Sequence, residues 1–272
     1  MKQLLLICML AVPFWGAGQD YHLTGGQAAL GHATVAQSGV WSAFYNPGGL
    51  DWSGATGINA GVFYDNRFAL ADLSIGGVAV SYGFENGGTL GVTTVRYGNA
   101  VFNEQTTGLA YSRVLGEKVS AGVKLNFHSL RVGNGYGNAT TLSGDIGFLY
   151  QMTENLTLAG ALFNPTRSQY VEIGDERLPI VLKGGAMYRF SDAVELSGEV
   201  WKELNEDPQL RAGLQYQPVD RVVLMAGVGS APALTSFGVG YLAGDFRLDL
   251  AAAYHNQLGF APQLTLSYAP VR

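Results

Sequence analysis

Cysteine is almost missing from this chain: Cys8 is the only one, and it sits inside an apolar N-terminal run. Beyond that run there is no thiol for a disulfide, a metal site or nucleophilic catalysis. Charge is also sparse, at 14% of residues where a soluble domain averages about 25%. The net charge of -5 and a pI near 5.3 leave no basic face for nucleic acid. After Gln19 no stretch approaches the ~18 consecutive apolar residues of a membrane helix. The four histidines, His22, His32, His128 and His255, have no metal-ligand spacing, and there is no Gly-x-Ser-x-Gly elbow. His128 and Ser129 are adjacent, so on a strand they point to opposite faces. Gly133-Asn134-Gly135-Tyr136-Gly137 has no helix after it and reads as a hairpin, not a phosphate loop. A non-enzymatic protein with no cofactor and no nucleic-acid partner is expected.

What is present is an exported, greasy chain. Lys2, the apolar run Leu4 to Trp15 and the small residues Gly16, Ala17 and Gly18 have the layout of a signal peptide over 1–18, leaving Gln19 first. Ile7 is too large to precede a lipidated Cys8. Hydrophobic residues make up 47% of the chain, with 38 glycines and a positive mean hydropathy. Export and apolarity without a membrane helix favour a transmembrane β-barrel, the other structure that satisfies every backbone group in lipid.

Period-two alternation supports this. Val119, Ala121, Val123, Leu125 and Phe127 share one face, and Ser120, Gly122, Lys124, Asn126 and His128 the other. Turn signals divide the chain into fourteen strands near 54–64, 69–83, 88–98, 104–114, 119–131, 138–151, 155–163, 178–190, 193–203, 208–217, 220–229, 233–243, 245–256 and 260–269. Short turns at 84–87, 115–118, 153–155, 191–192, 218–219 and 244 alternate with longer connections at 99–103, 131–138, 164–177, 203–207 and 256–260. That phase expects both termini in the periplasm of a bacterial outer membrane. Tyr64, Tyr82, Tyr97, Tyr111, Phe127, Tyr150, Phe163, Tyr188, Trp201, Tyr216, Tyr241, Tyr254 and Tyr268 fall near strand ends and are expected in two girdles at the headgroups. The alternative, a soluble β-sandwich, rarely uses fourteen consecutive hairpins.

Residues 24–50 break the alternation. Their Ala28-Ala29-Leu30-Gly31, followed by Asn46-Pro47-Gly48-Gly49 and Leu50, resembles the N-terminal signature of the FadL-like (long-chain fatty acid transporter) outer-membrane barrels, more closely the PorV/PorQ branch. The resemblance implies an all-β, fourteen-stranded antiparallel transmembrane barrel with a small N-terminal luminal plug. The chain then divides into 1–18, a plug segment over 19–53 and a barrel over 54–272. Gly48 stands where that signature has Ala, and the acid often found ahead of it is replaced within Gln37-Ser38-Gly39-Val40-Trp41. Pro47 fixes φ and the glycines allow the chain to reverse into the first strand.

Lys124, Asp145, Lys183, Arg189, Glu195, Glu199, Arg211, Arg247 and Asp249 fall on the inward face, where they either pair across the lumen or line a polar path. Apolar inward residues are few on this reading, Leu149 and Met187 among them, which counts against fatty acids as cargo. The connection from Asn164 to Leu178 exceeds what closure of a hairpin requires, and Arg167, Tyr170, Glu172, Asp175, Glu176 and Arg177 make it a candidate surface site or lid. The resemblance implies an accessory or scaffold for surface export, in type IX secretion, with secreted or surface proteins as partners beside membrane lipid. The alternative is a passive transporter of small hydrophobic or amphipathic solutes, and an open porin comes third.

Overall fold

The computed structural model describes residues 25–52, 54–133, 137–170, 176–230, 233–255 and 259–270. The signal-peptide expectation over 1–18 lies outside them. Two short helices, α1 (Gly25–Ala28) and α2 (Ser42–Tyr45), and a 3-10 turn at Pro47–Gly49 precede the strands. These are β1 (Gly57–Asn66), β2 (Ser74–Phe84), β3 (Gly88–Gly98), β4 (Phe102–Leu115), β5 (Val119–Val132), β6 (Gly137–Gln151), β7 (Leu156–Phe163), β8 (Gln169–Tyr170), β9 (Glu176–Arg177), β10 (Val181–Ser191), β11 (Val194–Glu203), β12 (Gln209–Val219), β13 (Val222–Ser230), β14 (Ala233–Ala243), β15 (Phe246–His255) and β16 (Gly259–Tyr268). All but β8 and β9 form one closed antiparallel barrel in chain order, with β16 returning to β1. Closure leaves no strand edge unpaired.

The alternation sorts cleanly. Val62, Val78, Leu109, Leu125, Ile146, Leu182, Val228 and Leu250 are exposed on the outer wall, while their strand neighbours are buried within. A continuous apolar belt of this kind on a closed sheet is a lipid-facing surface. Ten of the thirteen aromatics expected in girdles lie on that outer face. Tyr97, Phe163 and Trp201 do not, because strand parity turns them inward, onto an apolar cluster, Lys183 and Arg211 respectively.

Some connections differ from the expectation. The second strand begins at Ser74, not near 69, since Phe68 takes a positive φ of 56° and two 3-10 turns, Arg67–Ala69 and Ala71–Leu73, occupy the connection. Pro218 sits in an irregularity of β12, where its missing N–H is tolerated, so the tight turn falls at 220–221. The connection at 99–101 is as short as the turns at the opposite end. The phase is carried instead by 67–73, 164–180 and 204–208, all at one end of the barrel.

With Cys8 replaced by Ser, the periplasmic-termini topology predicts that a membrane-impermeant maleimide labels Arg167→Cys in intact cells and spares Glu117→Cys. The reverse pattern would invert the topology.

Candidate functional site: the barrel interior

The chain from Ala28 to Leu50 is almost entirely buried against inward-facing residues of the wall. It is seated at two places where the wall is bare backbone. At the first, Ala28-Ala29-Leu30-Gly31 meets β12, β13 and β14: a Cβ on Gly213 or Gly227 would overlap the backbone of Leu30 or Gly31, and Gly31 itself has φ +62°. Ser236 closes this contact, its hydroxyl accepting from Gly31 N at 2.9 Å and donating to Ala29 O at 2.9 Å.

At the second, the Asn46-Pro47-Gly48 turn presses on β5 and β6. A Cβ on Gly122 would overlap Pro47 O, one on Gly147 would overlap Asn46 Oδ1, and one on Gly48 would lie 2.6 Å from Phe148 Cα. Asn46 uses both ends of its amide: Nδ2 donates to Val35 O (2.7 Å) and Phe148 O (3.1 Å), and Oδ1 accepts from Gly48 N (3.0 Å). Pro47 opens the 3-10 turn, where its missing N–H costs nothing. Ser112 Oγ donates to Gly48 O, and Leu50 packs on Ala43 and Ala110. On the outer side of this same wall lies an apolar depression of about 440 Å³ between Tyr111, Val123, Phe148 and Leu162.

Between the two seats, Glu199 Oε2 accepts from Thr34 N (2.9 Å) and Val35 N (2.8 Å). Past the turn, Asp51 accepts from Thr89 Oγ1 and Val114 N. Glu199 falls among the charges expected inward. The anchoring use of Glu199 and Asp51 was not legible, because it depends on where the N-terminal segment lies.

The interior is two-sided. Val40, Trp41, Phe44 and Tyr45 of the segment pack on Phe63, Ile75, Ala79 and Val95. The rings of Trp41, Phe44 and Phe63 meet at 5.8–6.2 Å between centroids. Burial pushes the Tyr45 phenol well above its ordinary pKa, partly offset by the Arg247 guanidinium. Inward apolar residues are therefore more numerous than the sequence reading allowed. Phe63, Ile75, Val95, Leu130, Val223 and Met225 join Leu149 and Met187, since several strands are apolar on both faces. A scarcity of apolar inward residues no longer counts against fatty acids as cargo.

The other side is a polar ladder on β4, β5 and β6. Thr106 Oγ1 lies 3.0 Å from His128 Nδ1, His128 Nε2 lies 2.8 Å from Ser143 Oγ, and Asn126 Nδ2 donates to Asp145 Oδ2 at 2.6 Å. A Ser–His contact thus exists across strands, where the sequence reading weighed only the adjacent Ser129. Asn126 Nδ2 reaches Ser143 Oγ at 3.5 Å beside its shorter bond to Asp145.

Of the remaining inward charges, Lys183 lies over the Phe163 ring and Arg211 over Trp201, each at 5.1 Å. Among the described residues, three ion pairs join residues of one strand or of adjacent strands. Arg247 Nε meets Asp249 Oδ1 at 2.8 Å, and Arg211 Nη1 meets Glu199 Oε1 at 3.8 Å. Arg189 and Glu195 pair at 3.0 Å at the short-turn rim, where Arg189 is half exposed. Among the described residues no three of His, Cys, Asp and Glu are grouped to hold a metal.

The connection after β7 is not a plain surface loop. Tyr170 is buried on Leu130 and Ala139 at the mouth, its hydroxyl donating to Glu104 Oε1 at 3.4 Å, because the β8–β9 hairpin folds inward. Arg167 and Arg177 are exposed, Glu176 of β9 stands opposite Tyr170 of β8, and Glu172 and Asp175 lie outside the described residues.

No protein-family model matches the chain, and no curated protein matches it. Solved structures do. The Ralstonia pickettii toluene transporter TbuX aligns with TM-score 0.67 at 11% identity, over 92% of this chain and 98% of its own. The P. putida toluene transporter TodX gives 0.63 at 12% identity, over 90% and 98%. A Pseudomonas aeruginosa FadL homologue gives 0.61 at 13% identity, over 90% and 97%. The fold is that of the FadL-type outer-membrane barrels. None of these neighbours distinguishes the PorV/PorQ branch.

Removing the Asn46 amide strips three hydrogen bonds, two of them fully buried. Asn46→Ala is expected to weaken the seating by ~2–4 kcal/mol, read as a lower temperature for conversion of the heat-modifiable form on a gel. Gly147→Val should do at least as much, and Gly184→Val, at an open outward position, should have little effect.

Proposed function

We propose that this barrel is a non-enzymatic passive conduit for small hydrophobic or amphipathic solutes in the bacterial outer membrane, with both termini periplasmic and residues 25–52 acting as its plug. The observation that carries the reading is the two-sided interior: an aromatic and aliphatic wall faces a hydrogen-bonding ladder, and an amphipathic solute has a use for both. The plug supports it as well. Its hold on the wall is non-covalent, made of hydrogen bonds, close glycine contacts and the packing of Trp41, Phe44 and Tyr45 on β1, β2 and β3. The structural neighbours named as toluene transporters favour the same class.

An accessory role in surface export, in type IX secretion, is the reading implied by the PorV/PorQ resemblance. Among the described residues, no feature of the interior or of the connection after β7 favours it over the conduit.

Deleting 25–45 should raise single-channel conductance in planar bilayers several-fold and speed toluene entry into proteoliposomes. Unchanged conductance in a folded deletion variant would place the barrier elsewhere.

A further inference from the structure

Where the polar ladder meets the aromatic cluster, one spot is incompletely satisfied. Lys124 (β5) is buried, and its ammonium lies 5.4 Å from the centre of the Phe44 ring, which belongs to the plug helix α2. Its register partner Asp145 is already engaged, accepting from Asn126 Nδ2 at 2.6 Å and Asn164 N at 3.3 Å. The other end of that amide, Asn126 Oδ1, is a buried acceptor with no partner. Lys124, Asn126 Oδ1 and Thr93 Oγ1 converge on Gly108, whose missing side chain leaves the strand open to them.

An unmet buried acceptor costs about 1–3 kcal/mol. Phe44 cannot relieve it, because a phenyl ring has no donor.

We infer that Lys124 and Asn126 form a binding site for an aromatic hydroxyl, and that the Phe44 ring is a placeholder which a phenolic solute displaces. The ring of the solute takes the place of Phe44 beside Trp41 and Phe63. Its hydroxyl donates to Asn126 Oδ1 and accepts from Lys124 Nζ, meeting both groups at once.

Two related classes fit less well. A hydrocarbon such as toluene leaves Asn126 Oδ1 unmet. A carboxylate accepts from Lys124, but it has no proton for Asn126 and is repelled by Asp145. Exit of Phe44 also unpacks α2, so ligand binding and loosening of the plug become one event. The inference rests on the conduit reading for its physiological sense, but the binding itself does not require transport.

The test is calorimetric titration of the detergent-solubilised, heat-modifiable barrel with p-cresol, toluene and benzoate. The expected result is p-cresol binding at least about tenfold tighter than the other two, the worth of one hydrogen bond. Phe44→Ala should strengthen p-cresol binding, since the placeholder is gone. Asn126→Leu and, separately, Lys124→Met should abolish the preference over toluene. Equal affinity for p-cresol and toluene would overturn the site, as would a preference that survives in folded Asn126→Leu or Lys124→Met. So would the absence of p-cresol binding in folded Phe44→Ala. Cresol binding without any solute entry into proteoliposomes would sink the conduit and leave the site standing.

Discussion

Contact between bare backbones organises this molecule. The Asn46-Pro47-Gly48 turn reaches the wall only because Gly122 and Gly147 offer no side chain there, and Ala29-Leu30-Gly31 reaches it through Gly213 and Gly227. At such distances the polar groups of turn and wall must answer one another, since neither side leaves room for water. Asn46 supplies the answer with one amide that serves Val35, Phe148 and Gly48. The rest of the interior follows: the turn fixes α2, α2 carries Phe44 onto β1 and β2 beside Trp41, and Arg211 and Arg247 pair with Glu199 and Asp249 along the wall.

The same constraint divides the interior by chemistry. Once the segment crosses the barrel, apolar residues of β1, β2 and β3 gain apolar partners from α2. Thr106, His128, Ser143, Asn126 and Asp145 of β4, β5 and β6 bond to one another, while Lys124 meets the Phe44 ring of α2 and Asn126 Oδ1 stays unmet. A small barrel with a single luminal segment thereby acquires two unlike walls, which is the basis for reading it as a conduit for solutes of mixed character.

Much of the fold was legible in the sequence. Strict alternation and turn residues locate all fourteen barrel strands, because a wall between lipid and a wet interior forces period two on every strand. Local chemistry blurred the rest. Phe68 at positive φ delays β2, and Pro218 displaces a turn. The interior was harder to read. Inward charges such as Lys124 and Glu199 follow from parity, whereas their partners depend on which strands adjoin and on where residues 25–52 run. Ser143 beside His128 and Tyr170 folded over Leu130 are contacts between distant segments that no spacing rule exposes. The inward glycines Gly122, Gly147, Gly213 and Gly227 were a usable signal. Glycine weakens a strand, so its recurrence on one face points to something approaching that face closely.

Amide hydrogen exchange on the barrel in lipid nanodiscs addresses the seating most directly. The account predicts that the amides of Gly31, Thr34, Val35 and Gly48 exchange as slowly as those of mid-strand residues in β5 and β6, and that Asn46→Ala releases them while the strands stay protected. Fast exchange of these four amides in the unaltered protein would contradict it.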